Sequence, residues 1–200
     1  MALLLHSSTG QEGTVKATVI AFVFSVVSLA AAGSAHADGF ITPFIGYNFG
    51  GDSGNCPSLT NCNERHTNYG VSIGAMGPIF GIEEDISYAN NFFGEAPNAS
   101  NSVFSAMTNL MVGVGVGPVQ PYVLGGLGLI RPHVSSISLS ADNNSLGYDL
   151  GGGVTVSVAP HVGIRGDIRH FHTIQDVNVL VFTGQRLDFF RASVGLALKF

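Results

Sequence analysis

Charge is what this chain has least of. Of its 200 residues only 8 are Lys or Arg and 13 are Asp or Glu. A water-facing exterior carries roughly 25–35 % charged residues, so this composition suits a soluble surface badly. The formal net charge of −5 comes without basic clusters, which argues against a nucleic-acid partner. There is no Trp and there are two Cys, so no framework of several disulfides can hold the fold. No apolar run reaches the roughly 20 residues of a spanning helix, and no segment past residue 37 has the period of an amphipathic helix. No low-complexity linker divides the chain, so a single domain is expected.

The front of the chain reads as an export signal. Residues 17–32, ATVIAFVFSVVSLAAA, are apolar and uncharged, and Lys16 precedes them. Ala35-His36-Ala37 then places small residues at both cleavage-determining positions, so cleavage is expected after Ala37. A transmembrane helix is the competing reading, and the run is too short for it. The stretch before Lys16 is long for a signal n-region and contains Glu12, which leaves open where translation starts. The expected organisation is a signal peptide over 1–37 and one domain over 38–200.

What the rest of the chain has is alternation. Strict period two marks β-strands with two unlike faces. Eight strands are predicted: Phe40–Phe49, Thr67–Met76, Ile79–Tyr88, Val103–Val114, Val119–Ile130, Leu146–Val158, Val162–Phe171 and Leu187–Phe200. Each matches the span of about 9–11 residues that a tilted strand needs to cross a bilayer. The connections alternate in length. Gly77-Pro78, Gly115–Pro118 and Ala159–His161 are tight turns, whereas Gly50–His66, Asn90–Ser102, Arg131–Ser145 and His172–Arg186 are long and polar. Short periplasmic turns and longer external loops are the habit of outer-membrane barrels. A lipocalin-like soluble barrel would put its apolar face inward; the scarcity of charge favours the inverted arrangement, with lipid outside. The predicted fold is an all-β, eight-stranded antiparallel up-and-down transmembrane β-barrel. Inward glycines such as Gly70, Gly113, Gly151 and Gly195 leave room for long lumen side chains.

The segments Ile79–Ala89 (IFGIEEDISYA), Gln120–Ile130 (QPYVLGGLGLI), Val162–His170 (VGIRGDIRH) and Phe190–Phe200 (FRASVGLALKF) resemble the small bacterial outer-membrane β-barrel family, the relatives of the OmpA and OmpX barrels. The resemblance covers the whole of 38–200 and implies a location in the bacterial outer membrane. It implies that Phe190, Val194, Leu196, Leu198 and Phe200 form the C-terminal assembly signal, read by the barrel assembly machinery. It further implies outer-membrane lipids as surroundings and a monomer. No OmpA-type peptidoglycan-binding domain is expected, since the barrel runs to Phe200. Family members are variously structural or adhesive, so fold alone does not assign a role.

The sharpest local feature is inward charge. Alternation turns Glu83, Asp85, Arg165, Asp167, Arg169 and Arg191 into the lumen, where charges are tolerated when paired. An ion-pair plug is expected, ahead of an ion-conducting path or a catalytic carboxylate. Glu84 falls on the lipid face, where a charge is destabilising; the sequence offers no account of it. Cys56 and Cys62 lie in the first long loop. An exported compartment permits a disulfide there, stabilising by roughly 2 kcal/mol for so small a loop; metal binding with His66 is the alternative. His170 and His172 share an outward face near the external rim. Outer-membrane lipid A deacylases carry a Ser two residues after their His, a place held here by His172, so no nucleophile–base motif is read. Gly125-Gly126-Leu127-Gly128 lies in a strand and is no phosphate loop. The expected function is a structural or surface-interaction role, without catalysis, cofactor or metal. A small porin-like channel is the alternative, and a lipid-modifying enzyme the less favoured third.

Overall fold

The computed structural model describes residues 37–53, 66–93, 99–136, 139–142, 144–174, 177–179 and 182–200. The expected signal peptide before Ala37 and the Cys56–Cys62 pair lie outside the described residues.

Eleven strands occur among the described residues: β1 Asp38–Phe49, β2 Thr67–Met76, β3 Phe80–Asn90, β4 Ala99–Gly113, β5 Val119–Ser136, β6 Leu139–Asp142, β7 Ser145–Ala159, β8 Val162–Thr173, β9 Val177–Val179, β10 Phe182–Gln185 and β11 Asp188–Lys199. Eight of them, β1–β5, β7, β8 and β11, pair in an antiparallel ring. The order runs β4-β3-β2-β1-β11-β8-β7-β5, and β4–β5 pairing closes it. The seam between first and last strands is regular, from Phe40↔Lys199 to Phe49↔Phe190. Beyond it Gly39 and Phe200 exchange both backbone hydrogen bonds, at 3.0 and 2.9 Å. The chain's last residue is thereby built into the ladder.

The two faces are sorted as the alternation requires. On β1, Ile41, Pro43, Ile45, Tyr47 and Phe49 point out, while Phe40, Thr42, Phe44, Gly46 and Asn48 are buried. On β11, Phe190, Val194, Leu196 and Leu198 are exposed, and Phe189, Arg191 and Ala197 are buried. The exposed aliphatics continue around the ring: Leu110 is 70 % accessible and Ile168 56 %. An apolar outer belt with polar groups inside is the arrangement that lipid selects.

Six strands outrun their expected lengths, β1 and β3 only slightly. β4 has 15 residues, β5 18, β7 15 and β8 12. Residues 99–102 and 131–136, read from sequence as polar loop, continue the β4–β5 ladder from Ser102↔His133 to Ala99↔Ser136. β6 then folds back on β5, and β9–β10 forms a small separate ribbon. The reason is physical. Ladder hydrogen bonds do not stop at the membrane surface, and above it a polar residue can stay in the ladder at no solvation cost. Composition marks the end of the lipid belt, not the end of the strand. The tight turns stand where expected. Gly117 has a positive φ of 61° beside the Val116↔Val119 bridge, a geometry that glycine takes without strain. Gly51, also at positive φ, has no room for a Cβ against the Asp188 carbonyl.

Ile168 sits near the middle of β8 with its side chain outward. Ile168→Arg should destabilise the barrel by about 2–4 kcal/mol if that face meets the bilayer midplane. Urea unfolding in lipid vesicles measures this; an unchanged midpoint would contradict a lipid-facing β8.

Candidate functional site: the charged lumen

The lumen is filled in layers. Its centre holds three guanidinium groups, Arg165, Arg169 and Arg191, and four carboxylates, Glu83, Asp85, Asp149 and Asp167, all buried. β8 supplies three of these at alternate positions, since Arg165, Asp167 and Arg169 share its inward face. β3 supplies Glu83 and Asp85, β7 Asp149 and β11 Arg191.

Arg169 is the hub. Its Nε and Nη2 donate to both oxygens of Asp167 at 3.1 and 3.0 Å. Its Nη1 lies 2.9 Å from Glu83, 3.3 Å from Asp85 and 3.7 Å from Asp149. Arg191 donates through Nη2 to both oxygens of Asp85, each at 2.9 Å. Its guanidinium lies between the Phe44 and Phe171 rings, at 4.7 and 4.9 Å from their centroids. Arg165 reaches Glu83 through Nη1 at 2.5 Å, and its Nε donates to the Tyr122 hydroxyl at 2.6 Å. Tyr122 in turn donates to Asp167 at 2.9 Å. Such charge-assisted, multiply bonded contacts are the strong ones.

Neutral groups complete the set. Ser72 donates to Asp85 at 2.9 Å and Ser193 to Asp167 at 2.8 Å. The Asn109 amide, turned with its nitrogen 2.6 Å from Asp149 and its oxygen 3.1 Å from Arg169 Nη1, satisfies both. Further polar pairs cross the wall: Asn68 with Asn48 and Ser87 with Ser105.

Toward the external end the lumen is apolar. Phe92, Phe171, Phe189, Met107, Ile130 and Leu187 form one buried cluster. Phe171 stacks on Phe189 at 4.9 Å, and Phe92 meets Phe189 edge-on at 4.8 Å. On the periplasmic side Phe40, Met76, Met111, Tyr122 and Leu124 form a second cluster.

The rim carries its own contacts. His170 Nε2 and His172 Nδ1 both reach the Asp188 carboxylate, at 3.0 and 2.9 Å. Asp52 pairs with the backbone of Asp188 in both directions: its N–H donates to the Asp188 carbonyl at 2.8 Å, and its Oδ2 accepts from the Asp188 N–H at 3.1 Å. Burial raises the Asp52 carboxyl above its ordinary 3.8, the hydrogen bond from Asp188 opposes this, and the nearby Asp188 charge adds to the rise.

All six lumen charges named from sequence are thus in one network. Tyr122, Asp149 and Asn109 were not among them, nor was the aromatic plug. Asp149 and Asn109 occupy inward positions of β7 and β4, but their meeting with Arg169 depends on register and ring curvature, not on one strand's pattern. Glu84 does point outward, and Thr108 Oγ1, its cross-strand neighbour, donates to it at 2.9 Å. His170 and His172 share one face, joined by Asp188.

Residues 18–200 match the family described as outer membrane protein beta-barrel domain. The chain belongs to that family, and its place is the bacterial outer membrane. Among solved structures it is similar to Neisserial surface protein A, at 15 % identity and a TM-score of 0.58, with 80 % of this chain and 95 % of that one covered. It is similar to the N-terminal β-barrel domain of Pseudomonas aeruginosa OprF, at 14 % identity and TM-score 0.53, covering 82 % and 98 %. It is also similar to a major outer membrane protein from Thermus thermophilus, at 12 % identity and TM-score 0.54, covering 82 % and 100 %. At these identities the likeness speaks for the fold. No curated protein matches the sequence.

Two outcomes follow from the geometry. Arg169→Met strands several buried carboxylates and should cost about 3–5 kcal/mol of unfolding free energy, while Arg191→Met combined with Asp85→Asn should cost less than Arg191→Met alone. Denaturant titration of the four proteins decides it; a loss under about 1 kcal/mol for Arg169→Met would mean the pairs behave like solvated ones. For Asp52 the raised folded pKa means that ionisation costs stability: its contribution is full below 3.8 and is lost as pH rises through the folded value. Asp52→Asn should therefore raise the Tm in detergent at pH 7, and the gain should vanish below 3.8.

Proposed function

We propose that this family member is a non-conducting, non-catalytic outer-membrane protein that works as a structural or surface-interaction element through its external loops. The observation that carries this reading is the sealed lumen. Three guanidinium groups and four carboxylates pair with one another across it, and an aromatic cluster caps them. An ion path would need those pairs to open and to leave charges unpaired in a narrow, water-poor space. The strands β4, β5 and β6, and the β9–β10 ribbon, support the loops beyond the lipid belt. Loops carried on a rigid scaffold are where binding concentrates.

In this reading residues 1–37 direct export and are removed after Ala37. The closing strand, through Phe190, Val194, Leu196, Leu198 and Phe200, engages the assembly machinery. Lipid contacts the exposed aliphatic belt. Cys56 and Cys62 staple the first loop, and the barrel acts as a monomer.

Planar bilayers holding the purified protein should show no conductance steps; discrete openings would favour the channel. Lipid A mass spectra should be the same with and without the protein, and a changed acyl pattern would favour an enzyme. External protease on intact cells should cut near Asn61, Asn98, Asn143 and Gln175, and full protection would overturn the topology.

A further inference from the structure

Beneath the ion-pair layer the lumen opens at the end where Gly77, Pro78 and Gly115 turn, which is the periplasmic end. A cavity of about 400 Å³ lies there, within the usual range for small-molecule sites. Its walls are Phe40, Met76 and Met111, and Lys199 and Asp38 stand among its lining residues. The other end is formed by Arg165, Tyr122 and Thr42.

Two polar atoms at that inner end are left over. Arg165 is 4 % accessible and Thr42 1 %, yet Arg165 Nη2 and Thr42 Oγ1 have no hydrogen-bond partner. The other nitrogens of Arg165 are engaged, Nη1 by Glu83 and Nε by Tyr122 and Asp167. A buried donor without a protein partner costs the desolvation of that group, so an occupant that supplies an acceptor there gains a hydrogen bond. Charge selects among occupants. Glu83 and Asp167 already neutralise Arg165, and the central network holds one more carboxylate than guanidinium. A second anion at this inner end would sit beside Glu83, and the other cation of the lining, Lys199, is held at the last rung of β11, where it donates to Ser157 at 3.0 Å. A neutral carbonyl oxygen fits Nη2, and an amide N–H beside it can donate to Thr42 Oγ1. The ring of Phe40 and the two flexible Met side chains suit a short aliphatic body.

We propose that this vestibule binds, from the periplasm, a small uncharged carbonyl compound with a short apolar body, a primary aliphatic amide being the simplest. The carbonyl accepts from Arg165 Nη2, the amide donates to Thr42, and the chain lies on Phe40, Met76 and Met111.

The test uses protein isolated from outer membranes, with methyl-labelled Met, in lipid nanodiscs. Hexanamide, hexanoate and hexylamine are each titrated while the Met methyl signals are followed. Hexanamide should shift Met76 and Met111 saturably and leave Met107, in the external cluster, unmoved. Thr42→Val, which keeps the shape and removes the hydroxyl, should weaken hexanamide binding about tenfold. Ala197→Leu, on the cavity wall, should abolish it while the barrel keeps its folded gel mobility. Hexanoate and hexylamine should each bind at least about tenfold more weakly than hexanamide. Absence of a saturable shift, or equal affinity in Thr42→Val, would mean that the vestibule holds only water. Equal movement of Met107 would mean non-specific partitioning. Tighter binding of hexanoate or hexylamine would overturn the choice of an uncharged ligand.

Discussion

Lipid offers no hydrogen-bond partner to a peptide group, and everything else in this molecule follows from that. A sheet in hydrocarbon must have no edge, so β4 must find β5 and β1 must find β11. With eight strands the ring is narrow, and its interior has room for side chains but not for a column of water. The outer belt must be apolar, so polar side chains on these strands stand near a rim or turn inward, with the mutually bonded Glu84 and Thr108 as an outward exception. The mutual Gly39–Phe200 bonds show how far closure extends, since even the final peptide is paired.

A narrow interior full of polar side chains creates a second problem, the cost of buried charge. The solution here is mutual neutralisation rather than hydration. Arg169 touches four carboxylates and could not be removed without stranding them. Arg191 is held by one carboxylate and two aromatic faces, which leaves its remaining nitrogens over π-systems rather than in water. Outward Glu84 follows the same rule on the lipid side, where Thr108 gives it a hydrogen bond.

The fold was legible because two solvents act on the two faces of every strand, and period-two alternation records both. β2 runs over Thr67–Met76 as its alternation implies. Strand ends were less legible. Residues 131–136 look like loop because they are polar, yet above the membrane polarity and strand pairing are compatible. The lumen charges were legible by parity alone: Glu83 and Asp85, Arg165, Asp167 and Arg169, then Arg191. Their partners were not. Whether Asp149 meets Arg169 depends on the β7–β8 register and the curvature of the ring, and one strand carries neither. The aromatic plug was hidden because inward Phe171 and Phe189 look like ordinary strand residues, and Phe92 follows the end of β3.

Four carboxylates against three guanidinium groups cannot pair off one to one, and the excess explains the neutral residues around them. Tyr122, Ser72, Ser193 and Asn109 each supply a hydrogen bond to an acid that the arginines leave incompletely satisfied. The donors left over are then found where the network ends. Arg191 spends its surplus on aromatic rings inside the barrel. Arg165, the cation of the network nearest the periplasmic mouth, faces Phe40 and Tyr122 and still keeps Nη2 without a partner beside an open cavity. The same pairing that seals the middle of the lumen thus leaves its lower end polar, accessible and unsatisfied.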